Sequence, residues 1–442
     1  MSNTSYPAQY AVQPLDGPVH ASVRVPGSKS ITNRALVLAA LCGGSKRSCE
    51  LVGTLDSEDT RVMADSLARL GYTVDANWQA DTIRVQANSE RIIPADHADL
   101  FVANSGTTMR FLTAMVALGQ GRYRLDGVAR MRERPIRDLL DALTQLGVHA
   151  TSESSNGCPP VVIAADGLQG GTVRIKGDVS SQFLSGLLMA APFCRANLVI
   201  EVDGPLVSVP YVEMTLAIMR QFGLHAETDA FRRFRIPGRQ VGGVASYRVE
   251  PDASAASYFF ALPAIVGGSV TVTGLSKQSL QGDVAFVDLL AQMGCTVQTS
   301  GDLITVTGGA LRGIDVNMNA ISDTVMTLGV VACFATGPTN IRNVAHIRHK
   351  ETDRVAALAT ELRRIGATVN EREDGLTITP GPLHGAIVQT YNDHRMAMAL
   401  ALAGLKVPCL IIDNPACVAK TYPRFFEDLE KVGAANDKNP AS

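Results

Sequence analysis

The chain has few aromatic residues, no excess of one charge and no long apolar run. Aromatic residues make up 5% of its 442 positions, with one tryptophan. Its 40 basic and 42 acidic residues leave a net charge of −2, whereas a protein held to nucleic acid or an anionic membrane by bulk charge is normally basic. Any anionic ligand must therefore be bound by a few focused cations. The longest apolar stretch, around Met396–Leu405, is far below the ~20 residues of a membrane helix.

Cysteine is present eight times but never as a C-x-x-C pair, and several cysteines stand in apolar runs such as 331–334. This pattern predicts buried, reduced thiols and disfavours a zinc site or a disulfide framework. Residues Met1–Tyr6 lack the basic and apolar regions of a signal peptide, so we expect a cytoplasmic protein.

One pattern recurs six times along the chain: an amphipathic helix that ends in a large apolar residue and a glycine, followed by small or β-branched residues. A glycine at that point is typical of a left-handed helix C-cap, and β-branched residues favour a strand. Successive glycines are 67 to 76 residues apart, at Gly71, Gly147, Gly223, Gly294, Gly366 and Gly433.

A second pattern keeps the same phase. A polar cluster precedes a nearly all-apolar helix, 40 to 43 residues before each of those glycines, near Ser30, Gly106, Ser180, Ser254, Asp323 and Asp393. Each repeat is therefore predicted to hold one buried helix, one amphipathic helix and strands such as 302–307 and 375–379.

These repeats predict an α/β fold of two similar domains, each with three α/β units whose buried parallel helices lie under strands. The expected domains are 28–249 and 1–27 plus 250–442, because glycine and proline accumulate near 237–250 and residues 1–27 precede the first repeat. The alternative is a string of unrelated α/β segments.

The polar clusters at the helix starts predict anion binding. Helix N-termini expose unpaired N–H groups and the positive end of the helix dipole, and parallel helices could aim them at one cleft between the domains. Each cluster taken alone also fits a routine helix cap. The cations at comparable edges of apolar segments favour the binding interpretation; they are Lys29, Arg34, Arg134, Lys350, Arg354, Arg395 and Lys420.

Read together, the motifs resemble those of the 5-enolpyruvylshikimate-3-phosphate synthases, members of the enolpyruvyl transferases. The similarity runs nearly end to end, over the segments 26–30, 104–107, 132–135, 180–182, 252–254, 350–354, 391–395 and 419–421. The fold of that family, two domains of three repeats in an inside-out α/β barrel, agrees with the periodicity of this chain.

The resemblance implies transfer of the enolpyruvyl group of phosphoenolpyruvate to the 5-hydroxyl of shikimate 3-phosphate, a step of aromatic amino acid biosynthesis. The implied reaction is addition–elimination through a tetrahedral intermediate. Asp323 would be the base at the hydroxyl, Glu351 the partner at the methylene carbon, and Lys29 would stabilise the departing phosphate. Neither a metal nor an organic cofactor is implied, and a monomer without nucleic acid or membrane partners is expected.

The same resemblance assigns two sets of binding residues. Shikimate 3-phosphate would be held by Lys29, Ser30, Arg34, Ser180, Ser181, Gln182, Ser208, Tyr211, Asp323, His346 and Lys350. Phosphoenolpyruvate would be held by Lys29, Gly106, Arg134, Gln182, Arg354, Arg395 and Lys420. Gly106 is expected to leave room for the inhibitor glyphosate, which competes with phosphoenolpyruvate.

Two positions depart from the pattern of some family members. His346 stands where some carry Asn, which predicts that shikimate 3-phosphate binding weakens as pH rises through a near-neutral histidine pKa. Phe111 stands where some carry Pro, which leaves the packing behind Gly106 open.

Three other functions fit the sequence less well. A UDP-N-acetylglucosamine enolpyruvyl transferase would carry Asn after Lys29 and a reactive cysteine near 124–134, and this chain has neither. An RNA 3′-phosphate cyclase-like protein is disfavoured by the balanced charge. A non-catalytic phosphate-ligand binding protein is disfavoured by the presence of Asp323, Glu351 and Lys29.

Overall fold

The computed structural model describes residues 6–42, 48–87 and 89–434. Residues 1–5, which make up most of the segment Met1–Tyr6 that lacks signal-peptide features, lie outside the described residues. The chain divides into two compact units, Gly27–Val249 and Met1–Pro26 with Glu250–Ser442. The predicted first domain began one residue later, at 28. Among the described helices, none combines the length and apolar character needed to span a bilayer.

Short strands alternate with helices along the described chain. The α-helices are α1 (Lys29–Cys42), α2 (Glu58–Arg69), α3 (Gly106–Val116), α4 (Arg137–Gln145), α5 (Ser181–Ala190), α6 (Val209–Gln221), α7 (Ala253–Val266), α8 (Phe286–Met293), α9 (Val325–Ala332), α10 (Arg354–Arg364), α11 (His394–Gly404) and α12 (Phe425–Ala434). The strands are β1 (Gln9–Ala11), β2 (Val19–Val23), β3 (Ser48–Val52), β4 (Thr73–Asn77), β5 (Thr82–Gln86), β6 (His97–Phe101), β7 (Gln120–Asp126), β8 (His149–Ser152), β9 (Val161–Asp166), β10 (Gly171–Lys176), β11 (Leu198–Asp203), β12 (Glu227–Asp229), β13 (Arg233–Ile236), β14 (Ser246–Arg248), β15 (Gly268–Thr273), β16 (Thr296–Ser300), β17 (Leu303–Thr307), β18 (Asp315–Asn317), β19 (Thr339–Arg342), β20 (Thr368–Arg372), β21 (Gly375–Thr379), β22 (Ile387–Val388) and β23 (Ile411–Asp413).

The repeat is clearest in the sheet β6-β7-β9-β8 of the unit Gly27–Val249. Strands β6 and β7 pair in parallel and are joined through α3, which is buried along its whole length. Strands β8 and β9 follow α4 as an antiparallel hairpin, and β9 pairs antiparallel with β7. The same order recurs in β10-β11-β13-β12 and in β18-β19-β21-β20.

The first repeat of each unit borrows its first strand from elsewhere in the chain. Strand β14, at the end of the unit Gly27–Val249, pairs in parallel with β3 near its start. In the other unit, β2 pairs in parallel with β15. Strand β1 pairs antiparallel with β23 in the last repeat. The segment preceding residue 27 thus supplies two strands to the second unit.

The structure contains side-chain and glycine caps at most of the predicted helix boundaries. Asp252, Asp353 and Asp393 each cap a helix by accepting a hydrogen bond from a backbone N–H of its first turn. At five of the six predicted glycine C-caps φ is positive, between +78° and +118°: Gly71, Gly147, Gly223, Gly294 and Gly366.

The sixth predicted cap is wrong. Gly433 lies inside α12, which continues to Ala434. A Cβ at Gly433 would lie 2.8 Å from Leu15 Cδ2. The glycine therefore serves close packing against the N-terminal segment rather than a left-handed turn.

Candidate active site

In the unit Gly27–Val249, polar residues gather where the buried helices begin. Helix α1 starts at Lys29, whose Nζ lies 3.4 Å from Asp59 Oδ2. Asn33, one turn further on, donates from Nδ2 to Thr107 Oγ1 at 2.8 Å. This hydrogen bond ties the second turn of α1 to the first turn of α3, so the Lys29 and Gly106 motifs lie together.

Arg34 is a cation buried among neutral groups. Its Nε donates to Thr215 Oγ1 at 2.7 Å, and its Nη2 donates to Ser185 Oγ at 3.4 Å and to the Tyr211 carbonyl at 3.1 Å. Its Nη1 donates to the Ser30 carbonyl at 2.9 Å. Four of the five N–H donors are thus used, and among the described residues none of the acceptors is a carboxylate. Burial lowers the Arg34 pKa to about 10, partly opposed by Tyr211.

Gly106 is the first residue of α3 and lies against two arginines. A Cβ built there would approach Arg134 Nη2 to 2.5 Å and Arg110 Nη1 to 3.2 Å. Arg134 donates to the Asn104 carbonyl at 3.0 Å, and Arg110 donates to the Pro135 carbonyl at 3.0 Å. Both arginines are buried. Only glycine leaves the guanidinium of Arg134 in this position at the helix start.

The other predicted residues of this unit stand at the starts of α5 and α6. Ser180 caps α5 and accepts from the Gln182 backbone N–H at 3.3 Å; Ser181 is the first residue of that helix. Ser208 precedes α6 in the left-handed region, at φ +53°, and is buried. The backbone carbonyl of Tyr211 accepts a hydrogen bond from Arg34 Nη2.

In the other unit, Arg354 joins three carboxylates. Its Nε donates to Asp393 Oδ2 at 2.8 Å, its Nη1 to Asp323 Oδ1 at 3.0 Å, and its Nη2 to Glu351 Oε2 at 2.8 Å. The Arg354 side chain is 2% exposed. Burial pulls the Arg354 pKa down, but the three carboxylates outweigh that effect and raise it above its usual value.

Two further cations complete this group. Arg395 Nη2 donates to Asp323 Oδ2 at 2.7 Å, so two guanidinium groups hold the Asp323 carboxylate. Lys420 Nζ lies 3.8 Å from Glu351 Oε1. These six side chains form the Arg354 cluster: Arg354, Asp323, Glu351, Asp393, Arg395 and Lys420. Its three carboxylates and three cations balance in charge.

His346 lies beside the Arg354 cluster, with Nε2 3.0 Å from Ser322 Oγ. Burial, and then the positive charge of Lys350, lower the His346 pKa to about 4, although Asp323 opposes them. The expected near-neutral titration is therefore wrong, because a buried imidazole close to ammonium and guanidinium groups resists a further charge.

Sequence reasoning missed four charged residues near these groups. The sequence places Asp393 in the polar cluster before α11 without giving its carboxylate a separate role, and it assigns no role to Asp59, Arg110 or Asp283. Asp393 carried a signal, since an acid two residues before Arg395 that caps α11 places its carboxylate at the same helix start. No group of three or more His, Cys, Asp or Glu suited to a metal occurs within residues 6–42, 48–87 and 89–434.

Comparison with known families gives one consistent result. The family model described as EPSP synthase (3-phosphoshikimate 1-carboxyvinyltransferase) matches residues 15–429. A 3-phosphoshikimate 1-carboxyvinyltransferase from Nostoc punctiforme is 48% identical over 422 residues, covering 94% of this chain and 98% of the relative. One from a Marinomonas species is 46% identical over 412 residues, covering 92% and 96%.

Solved structures share the fold at lower identity. An EPSP synthase from Acinetobacter baumannii superposes with a TM-score of 0.79 at 24% identity, covering 96% of this chain and 98% of that one. An enolpyruvyl transferase from Streptomyces tendae superposes with a TM-score of 0.76 at 20% identity, covering 96% and 97%. At these identities the likeness supports the α/β fold alone.

Proposed function

Because the chain belongs to the EPSP synthase (3-phosphoshikimate 1-carboxyvinyltransferase) family, we propose that its two groups of buried cations bind the substrates of that reaction. The protein is an enzyme that transfers the enolpyruvyl group of phosphoenolpyruvate to shikimate 3-phosphate in aromatic amino acid biosynthesis. The assignment of residues to each substrate and step is the proposed part.

In this proposal, Arg34 is the main cation for shikimate 3-phosphate. A buried guanidinium whose acceptors are all neutral favours an anionic ligand, because burial without a counter-charge is costly. The other residues of the unit Gly27–Val249 that are assigned to this substrate are Lys29, Ser30, Ser180, Ser181, Gln182, Ser208 and Tyr211. The remaining residues assigned to this substrate are Asp323, His346 and Lys350.

Phosphoenolpyruvate would be bound by Lys29, Gly106, Arg134, Gln182, Arg354, Arg395 and Lys420. A planar carboxylate suits the paired N–H groups of an arginine. The helix start at Gly106 adds N–H groups for phosphate oxygens. Glyphosate is proposed to compete at the same residues.

The observation that carries the proposed mechanism is the Asp323 carboxylate held by Arg354 and Arg395 at 3.0 and 2.7 Å. A substrate carboxylate on those arginines would compete for the N–H donors that Asp323 uses. Asp323 would then become a stronger base as the substrate arrives, which suits removal of a hydroxyl proton.

The remaining steps follow from the neighbours of this carboxylate. The hydroxyl oxygen adds to C2 of phosphoenolpyruvate while C3 gains a proton. The bond from C2 to the phosphate oxygen then breaks, C3 gives back that proton and the C2=C3 double bond re-forms. The released phosphate takes up the proton that Asp323 removed from the hydroxyl. Glu351, between Arg354 and Lys420, is the proposed partner at C3, and Lys29 would stabilise charge on the departing phosphate.

The test is a phosphate-release assay with both substrates, applied to the Asp323→Asn variant. We expect turnover to fall by about 100-fold or more, the scale of a lost general base. The matched control is Asp315→Asn in the same unit, because Asp315 is an exposed partner of Arg342. Full turnover in a folded Asp323→Asn variant would reject the role of Asp323, and phosphate release with UDP-N-acetylglucosamine instead would reject the substrate.

A monomer acting in the cytoplasm is part of the proposal. Size-exclusion chromatography with light scattering at working concentration checks the monomer, and a mass of twice 46.9 kDa would overturn it.

A further inference from the structure

A fourth carboxyl group is buried beside the Arg354 cluster. Asp283 lies in a 3₁₀ helix, Gly282–Ala285, which packs against the 3₁₀ helix Asn319–Thr324 that carries Asp323. Asp283 is 3% exposed. Charged groups do not occupy such a position unless they are paired or neutralised.

The Asp283 side chain is anchored to the start of α7. Ser254 Oγ donates a hydrogen bond to Asp283 Oδ2. Ser257, one turn further along α7, donates to the Ser254 carbonyl at 2.6 Å, and its hydroxyl lies 3.1 Å from Thr327 Oγ1 in α9. Buried hydrogen bonds through the Ser254 hydroxyl and carbonyl and the Ser257 hydroxyl therefore link Asp283 to the helix that follows Asp323.

The groups that face Asp283 come from each neighbouring element. Asp323 approaches from the 3₁₀ helix Asn319–Thr324, Arg395 from α11 and Asp252 from the cap of α7. The titratable group within α7 is Tyr258, and α8 carries Asp288, an exposed partner of Lys277. Burial and the Asp323 carboxylate raise the Asp283 pKa to about 7, against the opposing effects of Arg395 and the Ser254 hydroxyl.

We propose that Asp283 is a positioning residue that sets the net charge behind the Arg354 cluster, and that its neutral form is the one that admits the anionic substrate. The proposal rests on the assignment of that cluster to phosphoenolpyruvate. The three carboxylates and three cations of the cluster already balance. A fourth carboxylate charge would give the surroundings of Arg395 an excess of negative charge, which repels a ligand carrying both phosphate and carboxylate.

The experiment compares kcat/KM for phosphoenolpyruvate from pH 6 to pH 8.5, at saturating shikimate 3-phosphate, in four proteins. This quantity reports ionisations of the enzyme form that meets phosphoenolpyruvate, and ionisation of the substrate itself is common to all four. In the unaltered protein we expect a fall of about tenfold as pH rises through about 7, the scale of one unit charge acting inside a protein.

Three variants separate the possibilities. In Asp283→Asn, a permanently neutral isostere, this fall should vanish and kcat/KM at pH 8.5 should exceed that of the unaltered protein. In Ser254→Ala, loss of the hydroxyl that stabilises the charged carboxylate should move the inflection to higher pH. The control Asp288→Asn should reproduce the unaltered profile.

A folded Asp283→Asn variant with the unaltered pH profile overturns the proposal, as does a Ser254→Ala variant whose inflection does not move. If Asp283→Asn fails to fold, as judged by its thermal transition, Ser254→Ala alone decides. The Asp323→Asn assay separates this result from the proposed function: if that variant loses turnover while the Asp283→Asn profile is unaltered, only the role of Asp283 falls.

Discussion

Arg34 and Arg354 are both fully buried arginines, one in each unit, yet they are held in opposite ways. Arg34 is surrounded by hydroxyl and carbonyl oxygens, and burial lowers its pKa to about 10. Arg354 is surrounded by Asp323, Glu351 and Asp393, which raise its pKa. The first arrangement has no carboxylate among the described acceptors of Arg34, whereas the second already contains its counter-charges.

The largest effect is expected on breaking the second arrangement. Arg354→Met leaves the buried Glu351 and Asp393 and the partly buried Asp323 without their shared cation, so we expect the free energy of unfolding to fall by about 3–5 kcal/mol. Urea unfolding measures it. Arg424→Met, which removes an exposed ion pair with Glu427, should stay within about 0.5 kcal/mol of the unaltered protein. Equal losses in the two variants would contradict the structural role of the Arg354 cluster.

The matching change in the first arrangement should act on affinity more than on stability. Arg34→Met leaves hydroxyl and carbonyl groups unpaired at about 1–2 kcal/mol, partly offset because an uncompensated charge is no longer buried. The Kd for shikimate 3-phosphate should rise about tenfold, the scale of one charge-assisted hydrogen bond, because four of the five Arg34 N–H donors are already used within the protein. Titration calorimetry checks it, with the exposed Arg220→Met of α6 as control. Unaltered affinity would show that Arg34 is purely structural.

A third change displaces a guanidinium instead of removing it. In Gly106→Ala the new Cβ would lie 2.5 Å from Arg134 Nη2, so the arginine must shift. We expect KM for phosphoenolpyruvate to rise about tenfold, with a substantial increase in the glyphosate inhibition constant. Initial rates measure both. Gly17→Ala is the control, because a Cβ there meets no atom within 4 Å; unaltered constants in Gly106→Ala would refute the contact.

The smallest effect is expected at His346. Because its pKa is lowered to about 4, the imidazole is neutral above about pH 5 and adds no charge near neutrality. The affinity for shikimate 3-phosphate should therefore have the same pH dependence from 6.5 to 8 in the unaltered protein and in His346→Asn. Diverging titration curves would mean that the ligand restores the histidine charge.

The sequence predicts this fold well where structure depends on local chemistry. Glycine after a helix adopts positive φ at Gly71 and Gly147 because only that residue does so without steric cost. Asp393 caps α11 because its side chain reaches a backbone N–H two residues on. Gly433 was misread because its neighbour Leu15 lies far away in the chain, and close packing leaves no local pattern.

For the candidate site, the sequence indicates the cations but says little about which groups they contact. Arg34 meets Ser185 and Thr215 at separations of 151 and 181 residues, which no short motif contains. Whether an arginine pairs with hydroxyls or with carboxylates therefore emerges only from the fold. Asp283 had no usable signal, since a single acid before an amphipathic helix is common at the surface.

The pairing of β2 with β15 has a consequence for the order in which the protein is made. All residues of the unit Gly27–Val249 have been synthesised before the other unit is complete. Strand β2 must wait without its partner while residues up to Thr273 are added, roughly 12–50 s at ordinary elongation rates. The unit Gly27–Val249 is thus completed while the other unit still lacks most of its strands, and the unpaired edge of β2 needs protection from wrong partners during synthesis.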